Sequence, residues 1–152
     1  MRSRDTDTLD LLDWQPPSPV VRFSEKTVRA ASLRDRIAKA VSATLTESSL
    51  SRAEISKSMS RWLGECVTKN MLDAYSSESR TDHNIPFIRI IALAVATQDA
   101  RILQLAGDQM GHSIVPDHYL TWIEVGQLAD KQEELKRRLA IARNVARKGG
   151  AL

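Results

Sequence analysis

From Ser32 onward the apolar residues recur at helical spacing. Leu33, Ile37, Val41 and Leu45 fall at intervals of four with Ala38 and Ala40 beside them, the pattern of an amphipathic helix with Ser32 as its N-cap. Ser51-Arg52-Ala53-Glu54 has the form of a capping box and opens a second helix, with Ile55, Met59, Trp62 and Leu63 inward and Gly64 as a left-handed stop. Glu65 and Cys66 separate that stop from a short third helix capped by Thr68, in which Val67, Met71 or Leu72, and Tyr75 face inward. After a polar loop over 77–84, Pro86 introduces a fourth helix from Phe87 to Gln98, with Ile88, Ile91, Ala92 and Val95 inward. A fifth runs from Asp99 to Leu105 and ends at Gly107, after which Met110 to Val115 reads as extended, with Ile114 and Val115 closing the edge of the core.

Pro116 opens the last helix, from about Asp117 towards Lys148. Here Val125, Leu128, Gln132, Leu135, Leu139, Ala142 and Ala146 alternate spacings of three and four, a heptad seam of about three repeats. The other end of the chain is unlike any of this. Pro16, Pro17 and Pro19 forbid helix, so residues 1–31 are expected to be an extended arm whose Leu9, Leu11, Leu12 and Trp14 dock either on their own domain or on a neighbouring subunit.

Composition narrows the fold class. Only seven of 152 residues are aromatic, and with 6 Gly and 5 Pro there are too few turn formers for a sandwich or barrel. The expected fold is all-α: a helix-turn-helix bundle of about five helices over 32–115, between the arm and a C-terminal helix over 116–152. The single cysteine, Cys66, cannot form an internal disulfide and suits a reducing compartment, and as a small buried turn residue it needs no redox role. No apolar run is long enough for a membrane span, and the polar N-terminus is unlike a signal peptide, so a cytoplasmic location is expected.

The net charge of +3 is uninformative until it is resolved along the chain. Residues 81–130 carry two basic and six acidic groups, whereas 131–152 carry seven basic and two acidic. The excess of positive charge therefore sits around the middle segment and in the tail, where Lys136, Arg137, Arg138, Arg143, Arg147 and Lys148 would either grip phosphates without sequence preference or solubilise a helix.

The second helix, glycine turn and short third helix make a helix-turn-helix pattern, in which one helix braces and the next enters a major groove. The apolar assignment leaves Thr68, Lys69, Asn70, Asp73 and Ser76 outward. Lys69 suits guanine or a phosphate, Asn70 suits a bidentate bond to adenine, and Thr68 and Ser76 suit phosphates, while Asp73 would repel the backbone unless it accepts from cytosine. Arg52, Lys57, Arg61 and Arg80 would extend the phosphate-contacting surface, or form an ordinary solvated face.

Ser51-Arg-Ala-Glu-Ile55 and Gly64-Glu-Cys-Val-Thr-Lys-Asn70 resemble the repressor-type helix-turn-helix family of phage Cro and CI proteins, over residues 33–105. Ser60-Arg-Trp-Leu63 departs from that pattern as an apparent insertion that would re-aim the third helix. From Leu11-Leu-Asp-Trp-Gln-Pro-Pro17 through Lys69-Asn-Met-Leu-Asp-Ala-Tyr75 to the basic tail, the chain is also similar to small early-region DNA-binding proteins of Mu-like transposable phages. That resemblance implies regulation of transposition or early transcription beside phage transposition proteins, at the nucleoid of a bacterial host.

No enzyme reading competes. His83, His112 and His118 are too scattered to build a metal site with Cys66, no phosphate-binding glycine loop or dinucleotide fingerprint occurs, and Asp82-His83 lies in a polar loop. No catalytic residue, cofactor or metal is expected. The expected partners are double-stranded DNA and further copies of the chain, as a dimer or an open helical array, with Leu11, Leu12, Trp14, Val125, Leu128, Leu135 and Leu139 in the self-contacts. The alternative is a helical adaptor that binds proteins and no nucleic acid.

Overall fold

The computed structural model describes residues 18–149. They form seven helices and, among the described residues, no strand: α1 (Glu25–Val28), α2 (Leu33–Glu47), α3 (Arg52–Leu63), α4 (Lys69–Tyr75), α5 (Phe87–Thr97), α6 (Arg101–Gln109) and α7 (His118–Gly149). The fold is all-α. The chain divides into two compact units, one ending at Ile114 and one beginning at Val115.

Side-chain caps start the first four helices, α1 to α4. The Ser32 hydroxyl accepts from Asp35 N at 3.1 Å to begin α2. At α3 the Ser51 hydroxyl accepts from Glu54 N, while the Glu54 carboxylate accepts from Ser51 N at 2.8 Å. These bonds from the Ser51 side chain and backbone hold the Glu54 carboxyl below its ordinary pKa. Gly64, at φ 72°, turns the chain out of α3.

The helices pack around one core: Val41 and Leu45 from α2, Ile55 and Met59 from α3, Leu72 and Tyr75 from α4, Ala92 and Leu93 from α5, and Ile102 and Leu105 from α6. α5 packs against α3 and α6, while α2 touches α1, α4 and α6.

Six expectations are corrected here. Trp62 of α3, placed inward by its spacing, is exposed, and so is Ile114, expected to close the edge of the core. Residues 1–31 are not extended throughout, because α1 carries the buried Val28 and Phe23 packs against the core beside it. α5 turns Ala92, Leu93 and Ala94 inward and leaves Ile88 and Val95 exposed; its sequence is apolar on nearly every side, so spacing alone did not select a face. α6 runs through Gly107, whose missing Cβ would stand 2.9 Å from the His112 carbonyl oxygen, and Gly111, at φ 69°, follows the helix end. Cys66 is exposed rather than buried.

The segment after α6 has no regular structure, yet it is tied down. Gln104, almost wholly buried, donates to Asp108 Oδ1 at 2.6 Å and to His112 O at 3.0 Å, and accepts from Ile114 N at 2.6 Å. Arg22 reaches Asp108 at 2.9 Å and Ser113 at 3.1 Å, fixing the start of the described chain to the same place.

The second unit is α7 alone, 32 residues with no buried side chain. No helix among the described residues is long and apolar enough to cross a membrane.

Candidate nucleic-acid interface

Helix α4 is seven residues long, too short to be stable by itself. Three attachments position it. The first is burial of Leu72, Ala74 and Tyr75 along its inner side, continued by Val67 in the preceding turn. The second is Ser60 of α3: its hydroxyl accepts from Val67 N at 2.9 Å and donates to Ser56 O at 2.7 Å, with Val67 O at 3.1 Å. Ser60 thus supplies the pin that joins the turn to α3. The third is Arg89 of α5, which donates to the Tyr75 hydroxyl and to Glu65 Oε1 at 3.0 and 3.2 Å. Burial works against the Arg89 charge, but the Tyr75 and Glu65 contacts outweigh it and raise its pKa.

The expected outward residues divide into two groups. Thr68, Lys69 and Asn70 are exposed at the start of α4, with the Thr68 hydroxyl already accepting from Met71 N at 3.2 Å. Asp73 and Ser76 are not available as expected. Asp73 is half-buried and ion-paired to Arg52 at the start of α3, and the Ser76 hydroxyl donates back to the Asp73 carbonyl at 3.1 Å.

The Arg52 pair removes one expected phosphate contact and also neutralises the acidic group that would repel a phosphate backbone. Lys57 and Arg61 stand exposed one turn apart on α3, with no carboxylate partner among the described residues; Lys69 has none either. Arg80 is exposed, and its loop is held by Arg34, which donates to Arg80 O at 2.7 Å, Glu78 O at 3.2 Å and Asn84 Oδ1 at 3.1 Å.

Lys57, Arg61, Thr68, Lys69, Asn70 and Arg80 are therefore the expected contact residues that stand exposed. Ser60, Arg89 and Arg34 escaped the sequence reading because a serine in mid-helix and two arginines far along the chain carry no local signature of their partners. Among the described residues no cluster of His, Cys, Asp and Glu has the makings of a metal site. Leu11, Leu12 and Trp14 lie outside the described residues, while Val125, Leu128, Leu135 and Leu139 are exposed on α7.

No protein-family model, curated protein or solved structure matches the chain.

Proposed function

We propose that this chain is a self-associating DNA-binding protein that presents the start of α4 to a major groove. The observation that carries the reading is the exposure of Lys69 and Asn70 on a seven-residue helix whose opposite side is wholly buried and pinned by Ser60 and Arg89. A short helix held so firmly, with a donor-rich free side, suits base and phosphate contact, and Lys57, Arg61 and Arg80 add positive charge without a paired carboxylate. Control of transposition or early transcription in a Mu-like phage, in the bacterial cytoplasm at the nucleoid, is the setting the sequence resemblance supports. Catalysis and cofactors have no place in this reading.

The test is a titration of the full chain onto labelled random-sequence duplexes of several lengths, followed by fluorescence anisotropy at low and moderate salt. Binding that weakens steeply with salt and becomes cooperative on longer duplexes is the expected result. No binding at low salt refutes it and favours the adaptor, a reading supported by the exposed Trp62 of α3 and the exposed Phe87, Ile88 and Val95 of α5.

A further inference from the structure

The exposed seam of α7 calls for a partner. An isolated helix gains little stability from propensity alone in water, yet this one leaves Leu128, Leu135 and Leu139 at least half exposed. We propose that α7 pairs with the α7 of a second copy, antiparallel, about a two-fold axis near Asp130. This rests on the self-association part of the function above and is independent of DNA binding.

Charge chooses the occupant and its direction. With Val125, Gln132 and Leu139 at a positions and Leu128, Leu135 and Ala142 at d, the g positions hold Glu124, Lys131 and Arg138, and the e positions hold Trp122, Ala129, Lys136 and Arg143. In a parallel pair each g residue meets the e residue five further along the other strand. Lys131 would meet Lys136 and Arg138 would meet Arg143, each twice, so four contacts would be between like charges.

The helix is instead sorted by end. From His118 to Asp130 it carries Glu124 and Asp130 and no Lys or Arg, whereas from Lys131 to Gly149 it carries seven basic residues against Glu133 and Glu134. Reversing the second copy lays the acidic half on the basic half and sets opposed helix dipoles side by side.

One register uses both features. Val125 faces the second copy's Leu135, Thr121 its Leu139 and Leu128 its Gln132, so the polar residue falls in a layer with leucine and fixes the alignment at some cost in stability. On the flanks Glu124 meets Arg138, which also pairs with Glu134 of its own helix, and Trp122 offers its ring to Lys136, which pairs with Glu133 of its own helix. Lys131 and Ala129 each meet their own copy beside the axis, and the Lys131 pair is the one like-charge contact of this register, against four in the parallel pair. The contact is isologous and closes on itself, giving a dimer.

Two experiments on the full chain test this. The first replaces Cys66 by Ser, because its exposed thiol would cross-link by itself, and adds Val125→Cys to one sample and Leu135→Cys to another. The antiparallel register expects a disulfide chiefly between the two variants when they are mixed. Cross-linking within each sample alone overturns the orientation while leaving self-association standing. A monomeric mass by light scattering, without cross-links, overturns both.

The second introduces Arg138→Glu, checked by circular dichroism for unchanged helix content. It should weaken the dimer about tenfold, because two attractive contacts become repulsive. Adding Glu124→Arg to the same chain should restore it. In a parallel pair Arg138→Glu would instead strengthen the dimer by meeting Arg143, so that outcome contradicts the proposal.

Discussion

The helices that end before Ile114 and the helix that follows Val115 differ in what their apolar residues meet. In the first unit Ile55, Met59, Leu72 and Leu93 are completely enclosed, and even the polar Gln104 has its amide groups satisfied. In α7 every apolar side chain of the heptad seam remains in water. A surface on a unit that has completed its own core can be read as a recognition surface. Exposed leucines on a unit without a core point to a missing neighbour. The two units thus support two different parts of the proposed function, DNA contact before Ile114 and self-contact after Val115.

The sharpest way to break this contrast is a truncation made once in each unit. Leu72→Ala should cost about 2–5 kcal/mol in urea unfolding, since it opens a cavity under α4. Leu128→Ala should leave the unfolding of the first unit unchanged and lower the solution mass instead. Equal destabilisation by both would mean that the units do not fold as separate bodies.

Next in size is Ser60→Ala, which strips the Val67 amide of its acceptor and should cost about 1–3 kcal/mol. If α4 owes its position to that pin, DNA affinity should fall as well. A variant of normal stability and affinity would show that burial alone holds the turn.

A smaller and opposite effect is expected from Asp73→Ala. The Arg52 pair is partly exposed on both sides, so stability should drop by less than about 1 kcal/mol. The freed Arg52 should tighten DNA binding and steepen its salt dependence by about one phosphate contact. Weaker binding would place Asp73 in a base contact instead.

The mildest effect concerns acid. Burial raises the Asp99 pKa, but the bonds from the Arg101 side chain and amide, with the Thr44 hydroxyl, outweigh it and leave it lowered. A lowered folded pKa gives stability that is present above the unfolded value of about 3.9 and is lost as pH falls through the folded one. The urea midpoint should hold steady above about pH 5 and decline below about pH 4. Asp99→Asn should flatten that decline, and an unchanged profile would remove Asp99 from the explanation.

What could be read from the sequence was local. The Ser32 and Thr68 caps, the Ser51–Glu54 box and the Gly64 stop each act within four residues, so their spacing exposed them. Heptad spacing likewise marked the seam of α7. The face of α5 was hidden because Phe87-Ile-Arg-Ile-Ile-Ala-Leu-Ala-Val95 is apolar on nearly every side. At the candidate interface, Lys69 and Asn70 followed from the apolar pattern around them. The fate of Asp73 did not, because its partner Arg52 lies 21 residues away and only the packing of α3 on α4 brings the two together.

The most direct test compares DNA affinity in two full-length variants, each matched to the parent in helix content and mass. One carries Lys69→Ala with Asn70→Ala; the other carries Arg143→Ala, Arg147→Ala and Lys148→Ala in the basic tail. If the start of α4 is the reading surface, the first variant should lose about tenfold or more on duplex DNA at moderate salt, while the second keeps most of its affinity. Undiminished binding by the first, with loss confined to the second, would contradict the assignment and place the DNA contact on α7.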